Sequence, residues 1–235
     1  MMNGSQKMDE QEISVLRWGG LAGLLGGILH MLTIVVVFVG PVGGKEPADL
    51  EEWVIFPDIR VARVVENGLY LVALILGVIF FLALYRALQR TNLAPALFGS
   101  VLGILGLTVL AAGALPHVAT APLSDLYHAS GTTSGEQATL ALMWQATWGI
   151  FGALLAVGFF VTTIGLMALG VAMLGAPTFG KGFGWVSVVL GAVGLAAAVF
   201  NIVDPPSVIA AVTFLAIITF QLVLGWKVYS LSKAA

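Results

Sequence analysis

The chain has 235 residues, 59% of them hydrophobic and only 9% charged, with a formal net charge of -2 and no cysteine. An ordinary soluble domain carries about 25% charged residues, so this composition describes a protein dissolved in lipid. With no Lys/Arg cluster to neutralise phosphates, nucleic acid is excluded as a partner, and without thiols there are no disulfides, thiolate nucleophiles, iron–sulfur clusters or cysteine zinc sites.

Crossing about 30 Å of hydrocarbon takes about 20 apolar residues in a helix. Six stretches qualify: 18–40, 64–85, 95–115, 147–169, 183–203 and 208–226. The predicted fold class is all-α, a polytopic membrane bundle of six transmembrane helices. Residues 1–17 form a terminal segment, 18–226 the membrane domain and 227–235 a tail. The segment before Trp18 holds Asp9, Glu10 and Glu12, and the apolar run after it is longer than a signal core, so it reads as a retained span. An even number of spans puts both termini on one side. Lys7, Arg17, Arg86, Arg90, Lys181, Lys227 and Lys233 lie on that side, against Lys45, Arg60 and Arg63, which predicts cytoplasmic termini in the cell membrane.

The first span, "GGLAGLLGGILHMLTIVVVFVG", carries His30 on the same helical stripe as Gly19, Gly23 and Gly26/Gly27. Glycine offers lipid little contact and a neighbouring helix close approach, so the stripe and His30 are expected to face inward. An ionisable group inside a membrane is a functional candidate by default; its rival is an imidazole that fills space and bonds to a neighbouring helix.

In the loop 41–63, "ADLEEWVIFPDIRVARVVEN" sets Trp53, Ile55 and Phe56 among acids and predicts a short segment lying at the interface. The second span then brings Arg63, Glu66 and Tyr70 to one face with Asn67 beside them. This is either an Arg63–Glu66 ion pair at headgroup level or the mouth of an outward cavity within reach of His30.

After the third span, "LPHVATAPLSDLYHAS" supplies His117, Asp125 and His128 in a loop 116–136. These are zinc-ligand types, but their spacing matches no ligand motif, and no metal is predicted. From 138 to 174 no proline interrupts the apolar pattern. Ser134 is the expected cap of this long helix, with Gln137 three residues on. Its first turns, holding Met143, Trp144, Gln145 and Trp148, should project past the bilayer and pack on the preceding loop. A small outer cap from the first and the third-to-fourth span loops follows. In "NIVDPPS" Asp204 reads as a helix cap, and Asn201 as bonding to a neighbouring backbone.

The odd spans share "AGLLGG", "LGILGL" and "LGAVGL", which place Gly23/Gly26, Gly103/Gly106 and Gly191/Gly194 at comparable depths; three tandem two-helix hairpins are one reading, and chance and common packing needs in a chain of 29 glycines are the other. No lysine lies at mid-membrane for a retinal Schiff base, and a single intramembrane histidine cannot supply paired haem ligands. No phosphate-loop, Gly-x-Ser-x-Gly or His-Glu-x-x-His motif is present.

The stretch "FFLALYRALQRTNLAPALFGSVLGILGL", then "LYHAS", a long apolar helix and "FGKGFGWVSVVLGAVGLAAAVF", resembles a widespread prokaryotic family of six-span membrane proteins of unknown function. The likeness spans about residues 15 to 230 in motifs of Gly, Leu and Ala. It implies a multi-pass bundle and brings no catalytic residues with it.

The candidate polar site is therefore His30, Glu66, Asn67, Tyr70, His117, Asp125 and His128, with no catalytic assignment and no cofactor. The expected function is a non-catalytic binding, accessory or assembly protein. Its partners would be the lipid bilayer and another membrane protein, or a second copy, met through Gly-rich helix faces. The first rival is a membrane-embedded enzyme whose outward-facing site acts on a lipid or apolar substrate. A small-solute transporter comes third, because no span is broken by proline and mid-membrane charges are lacking.

Overall fold

A computed structural model describes residues 10–38, 52–203 and 209–234, and all six helices are present. They are α1 (Glu10–Phe38), α2 (Glu52–Leu88), α3 (Leu93–Tyr127), α4 (Ser134–Leu174), α5 (Gly180–Val203) and α6 (Ile209–Ala234). Each is long and apolar enough to cross a membrane. The described parts of the two predicted tails, 10–17 and 227–234, continue α1 and α6 as helix. Asp204 and most of the first loop, including Lys45, Glu46 and Asp49, lie outside the described residues.

Consecutive helices pack side by side and α6 closes back onto α1, so the six form a ring. Contacts across the ring join α2, α4 and α6, leaving α1, α3 and α5 as wedges between them. The wedges share one buried pattern at i, i+3, i+7, i+10 and i+14. It runs Leu16, Gly19, Gly23, Gly26, His30 on α1, Ala96, Gly99, Gly103, Gly106, Leu110 on α3, and Gly184, Ser187, Gly191, Gly194, Ala198 on α5. The inner helices repeat the same spacing. Leu74, Gly77, Phe81, Leu84 and Leu88 on α2 correspond to Phe159, Thr162, Leu166, Leu169 and Met173 on α4. On α6 the series is Phe214, Ile217, Gln221, Leu224 and Val228, of which Phe214 alone is half-buried. Three hairpins with a common internal register thus build the core.

Small residues make this packing possible, because in lipid helices associate through close backbone contact. A Cβ placed on Gly165 would lie 2.6 Å from the Gly103 nitrogen and 2.8 Å from the Gly99 carbonyl oxygen, both backbone atoms that cannot yield. Gly165→Ala is therefore expected to pry α3 from α4 at a cost of at least about 1 kcal/mol. Gly149→Ala, where a Cβ meets nothing within 4 Å, should be neutral or slightly stabilising. Unfolding both variants by denaturant titration in mixed micelles checks this; equal stability would contradict the close approach.

The chain departs from the sequence expectations where prolines stand. α3 does not stop at residue 115 but continues through Pro116 and Pro122 to Tyr127. Each proline removes one backbone bond, while the buried face His117, Thr120 and Ser124 keeps the segment helical by tertiary packing. Likewise α2 starts at Glu52 with Pro57 inside it. Trp53 and Phe56 do not lie along the membrane surface; they are buried against Trp144, with ring centroids 6.3 and 5.2 Å away. The cap of α4 shifts by one residue. Thr133, not Ser134, is the N-cap, and Glu136, not Gln137, completes the box, its Oε2 accepting from the Thr133 nitrogen at 2.8 Å.

α4 has 41 residues and α5 only 24, so their lengths are about 61 and 36 Å. The surplus of α2, α3 and α4 gathers at the end opposite the termini, where Trp53, Phe56, Ile59 and Trp144 form a second core. At the terminal end Trp18, Trp185 and Trp226 are more than half exposed, the placement of an interfacial aromatic belt. There Glu12, buried, reaches Arg90 at 3.3 Å and Arg86 at 4.0 Å and clasps α1 to the end of α2.

Candidate functional site

The glycine stripe of α1 fixes where His30 points. Gly23 meets Phe80 and Gly225, Gly26 meets the Ala73 carbonyl, and Gly27 meets Leu222, so α1 turns that edge into the corner between α2 and α6. His30 is fully buried there, and its Nδ1–H donates to Gln221 Oε1 at 2.9 Å. The ring centroid stands 5.1 Å from Phe214 and 5.9 Å from Tyr70. On α2, Arg63, Glu66, Asn67 and Tyr70 are all buried along one face. Arg63 Nη1 donates to Glu66 Oε2 at 2.9 Å, and Tyr70 follows one turn further along the same helix.

His117 joins the cap side of this face. It is buried on α3, with Trp148 and Phe151 of α4 at 5.3 and 5.4 Å, while the Arg63 guanidinium lies 5.7 Å over the Trp148 ring. A polar column therefore descends from His117 and Trp148 through Arg63, Glu66, Asn67 and Tyr70 to His30 and Gln221. Aromatic residues border it at both ends: Trp53, Phe56 and Trp144 on the cap side, and Phe80, Phe81 and Phe220, with centroids about 6 Å apart, on the terminal side.

The other two candidates belong elsewhere. Asp125 is exposed and takes a bidentate pair from Arg60, at 2.6 and 3.1 Å. His128 bridges helices, its Nε2 lying 3.1 Å from the Val54 carbonyl oxygen and its Nδ1 2.9 Å from that of Ser124. Both side chains tie the end of α3 to the start of α2. Among the described residues no three His, Asp or Glu side chains gather as a metal site. An open hollow beside the α3–α4 turn, between Leu126 and Leu140, contains none of the candidate residues.

Gln221 is the residue that sequence reasoning missed. A lone amide in "AIITFQLVLGW" was its only signal. The common register gives it weight: the positions equivalent to Gln221 are Phe81 and Leu166, and those equivalent to His30 are Leu110 and Ala198, all buried. At two of the three seams between hairpins, α2–α3 and α4–α5, these positions are apolar, and at the third, α6–α1, they carry a hydrogen-bonded polar pair.

Several buried polar atoms of the column have no hydrogen-bond partner: His30 Nε2, Asn67 Oδ1, the Tyr70 hydroxyl, His117 Nε2 and Gln221 Nε2. Each such atom costs about 1–3 kcal/mol while unsatisfied, so their concentration along one column is a feature to explain. No curated protein and no solved structure matches the chain. A family model described as a domain of unknown function does match it, over residues 64–229, from the second helix to the last. That is well over half of the 235 residues, and the chain belongs to this family, DUF4386.

Proposed function

We propose that this multi-pass membrane protein is a non-catalytic binding protein whose buried column receives the polar head of a small lipid-soluble molecule. In this reading the termini are cytoplasmic and the aromatic cap faces outward, as the distribution of basic residues favours. The observation that carries the proposal is the His30–Gln221 pair, placed where the other two seams between hairpins are apolar and surrounded by polar atoms still seeking partners. Catalysis is less well supported, because Glu66 is engaged by Arg63 and no hydrogen bond joins the free His30 Nε2 to a nucleophile or an acid. Self-association through Gly-rich faces is less well supported, since the stripe glycines Gly23, Gly103 and Gly191 pack within the chain, although Gly149 and Gly152 of α4 remain open.

Mass spectrometry of the protein released from lipid nanodiscs tests the reading. Wild type isolated from its native membrane should retain a small molecule that the double variant His30→Leu/Gln221→Leu, equally folded, does not. Identical adducts on both proteins would defeat the proposal.

A further inference from the structure

We infer that the head group accepted by this column is a neutral hydroxyl, so that the ligand class is a lipid-soluble alcohol or phenol. The inference rests on the binding role proposed above and deepens it. Its basis is the donor and acceptor pattern. Because Gln221 Oε1 accepts from His30 Nδ1–H, and no carboxylate bonds to the ring to stabilise a second proton, the imidazole is neutral and Nε2 is left with a lone pair. Nε2 therefore needs a donor, and so does Asn67 Oδ1. The Gln221 amide N–H and the Tyr70 O–H need acceptors. A hydroxyl is the smallest group that donates and accepts at once.

Charge narrows the class further. Arg63 and Glu66 offset each other at 2.9 Å, so the column presents no net charge to a carboxylate, a phosphate or an ammonium, each of which would enter at a large desolvation cost. Tyr70 and Phe214 flank His30, and Phe159 lies 6.0 Å from Phe214, so the surroundings of the pair are aromatic and favour an apolar carbon skeleton over a charged one.

The test uses the full chain in phosphatidylcholine nanodiscs, with dodecanol, dodecanoic acid, dodecylamine and dodecane as probes and thermal unfolding as the readout. Near saturation, dodecanol is expected to raise the midpoint by about 5 °C, and the other three probes by much less. Tyr70→Phe, which removes one oxygen, should lose at least half of the shift, and His30→Leu/Gln221→Leu all of it. Stabilisation by the acid or the amine equal to that by the alcohol overturns the hydroxyl assignment while leaving the binding role intact. Equal responses of wild type and the double variant to every probe, with no molecule retained from the native membrane, overturn both and leave a hydrated core only.

Discussion

Glu66→Gln is expected to destabilise the bundle by about 3 kcal/mol, the usual cost of stripping one partner from a buried ion pair. The two side chains are 5% and 11% exposed, and the bond is 2.9 Å long. At an effective dielectric constant near 20, charges this close attract by about 4 kcal/mol. Arginine cannot escape the loss by deprotonating, so the removed attraction appears as lost stability. The Trp148 face below the guanidinium retains part of the stabilisation, about 1 kcal/mol. Denaturant titration in mixed micelles measures the effect. The double variant Arg63→Met/Glu66→Leu should recover most of the loss, since apolar replacement of a whole buried pair is often neutral. A loss below about 1 kcal/mol for Glu66→Gln would mean that the pair is hydrated like a surface pair.

Much of the architecture was legible because lipid imposes a single rule: every backbone polar group must be satisfied inside its own helix. Apolar length therefore located all six helices, and the glycine stripe of α1 correctly predicted the direction of His30. The ends were not legible. Pro57, Pro116 and Pro122 read as breaks, yet the Trp53–Phe56–Trp144 core holds their segments helical through contacts between residues about 90 positions apart. The same kind of distance hid the site. Arg63–Glu66 is three residues apart and visible in the sequence, whereas His30–Gln221 is separated by 191 positions and Arg60–Asp125 by 65, with no local signal for either. Asp125 and His128 were expected in a loop; with α3 continuous to Tyr127, they are seen fastening its end to α2.

The His30–Gln221 pair permits a sharper experiment, in which stability and function are expected to part. His30→Leu leaves Gln221 Oε1 buried without its donor, and Gln221→Leu leaves the His30 Nδ1–H without its acceptor, so each single change should cost about 1–3 kcal/mol. Removing both leaves no orphan from the bond and relieves His30 Nε2 and Gln221 Nε2 of their unmet demand as well. Apolar residues, Phe81 with Leu110 and Leu166 with Ala198, already fill the equivalent buried positions at the other two seams between hairpins, so the double variant should be about as stable as wild type. The coupling energy from the cycle is then the sum of the two single losses, about 2–6 kcal/mol. Binding should follow the opposite order, with the most stable variant wholly inactive, since the pair that the fold can do without is the pair that the ligand uses. Additive losses, with the double variant the least stable of the three, would make the pair a structural element of the core and end its claim to a function.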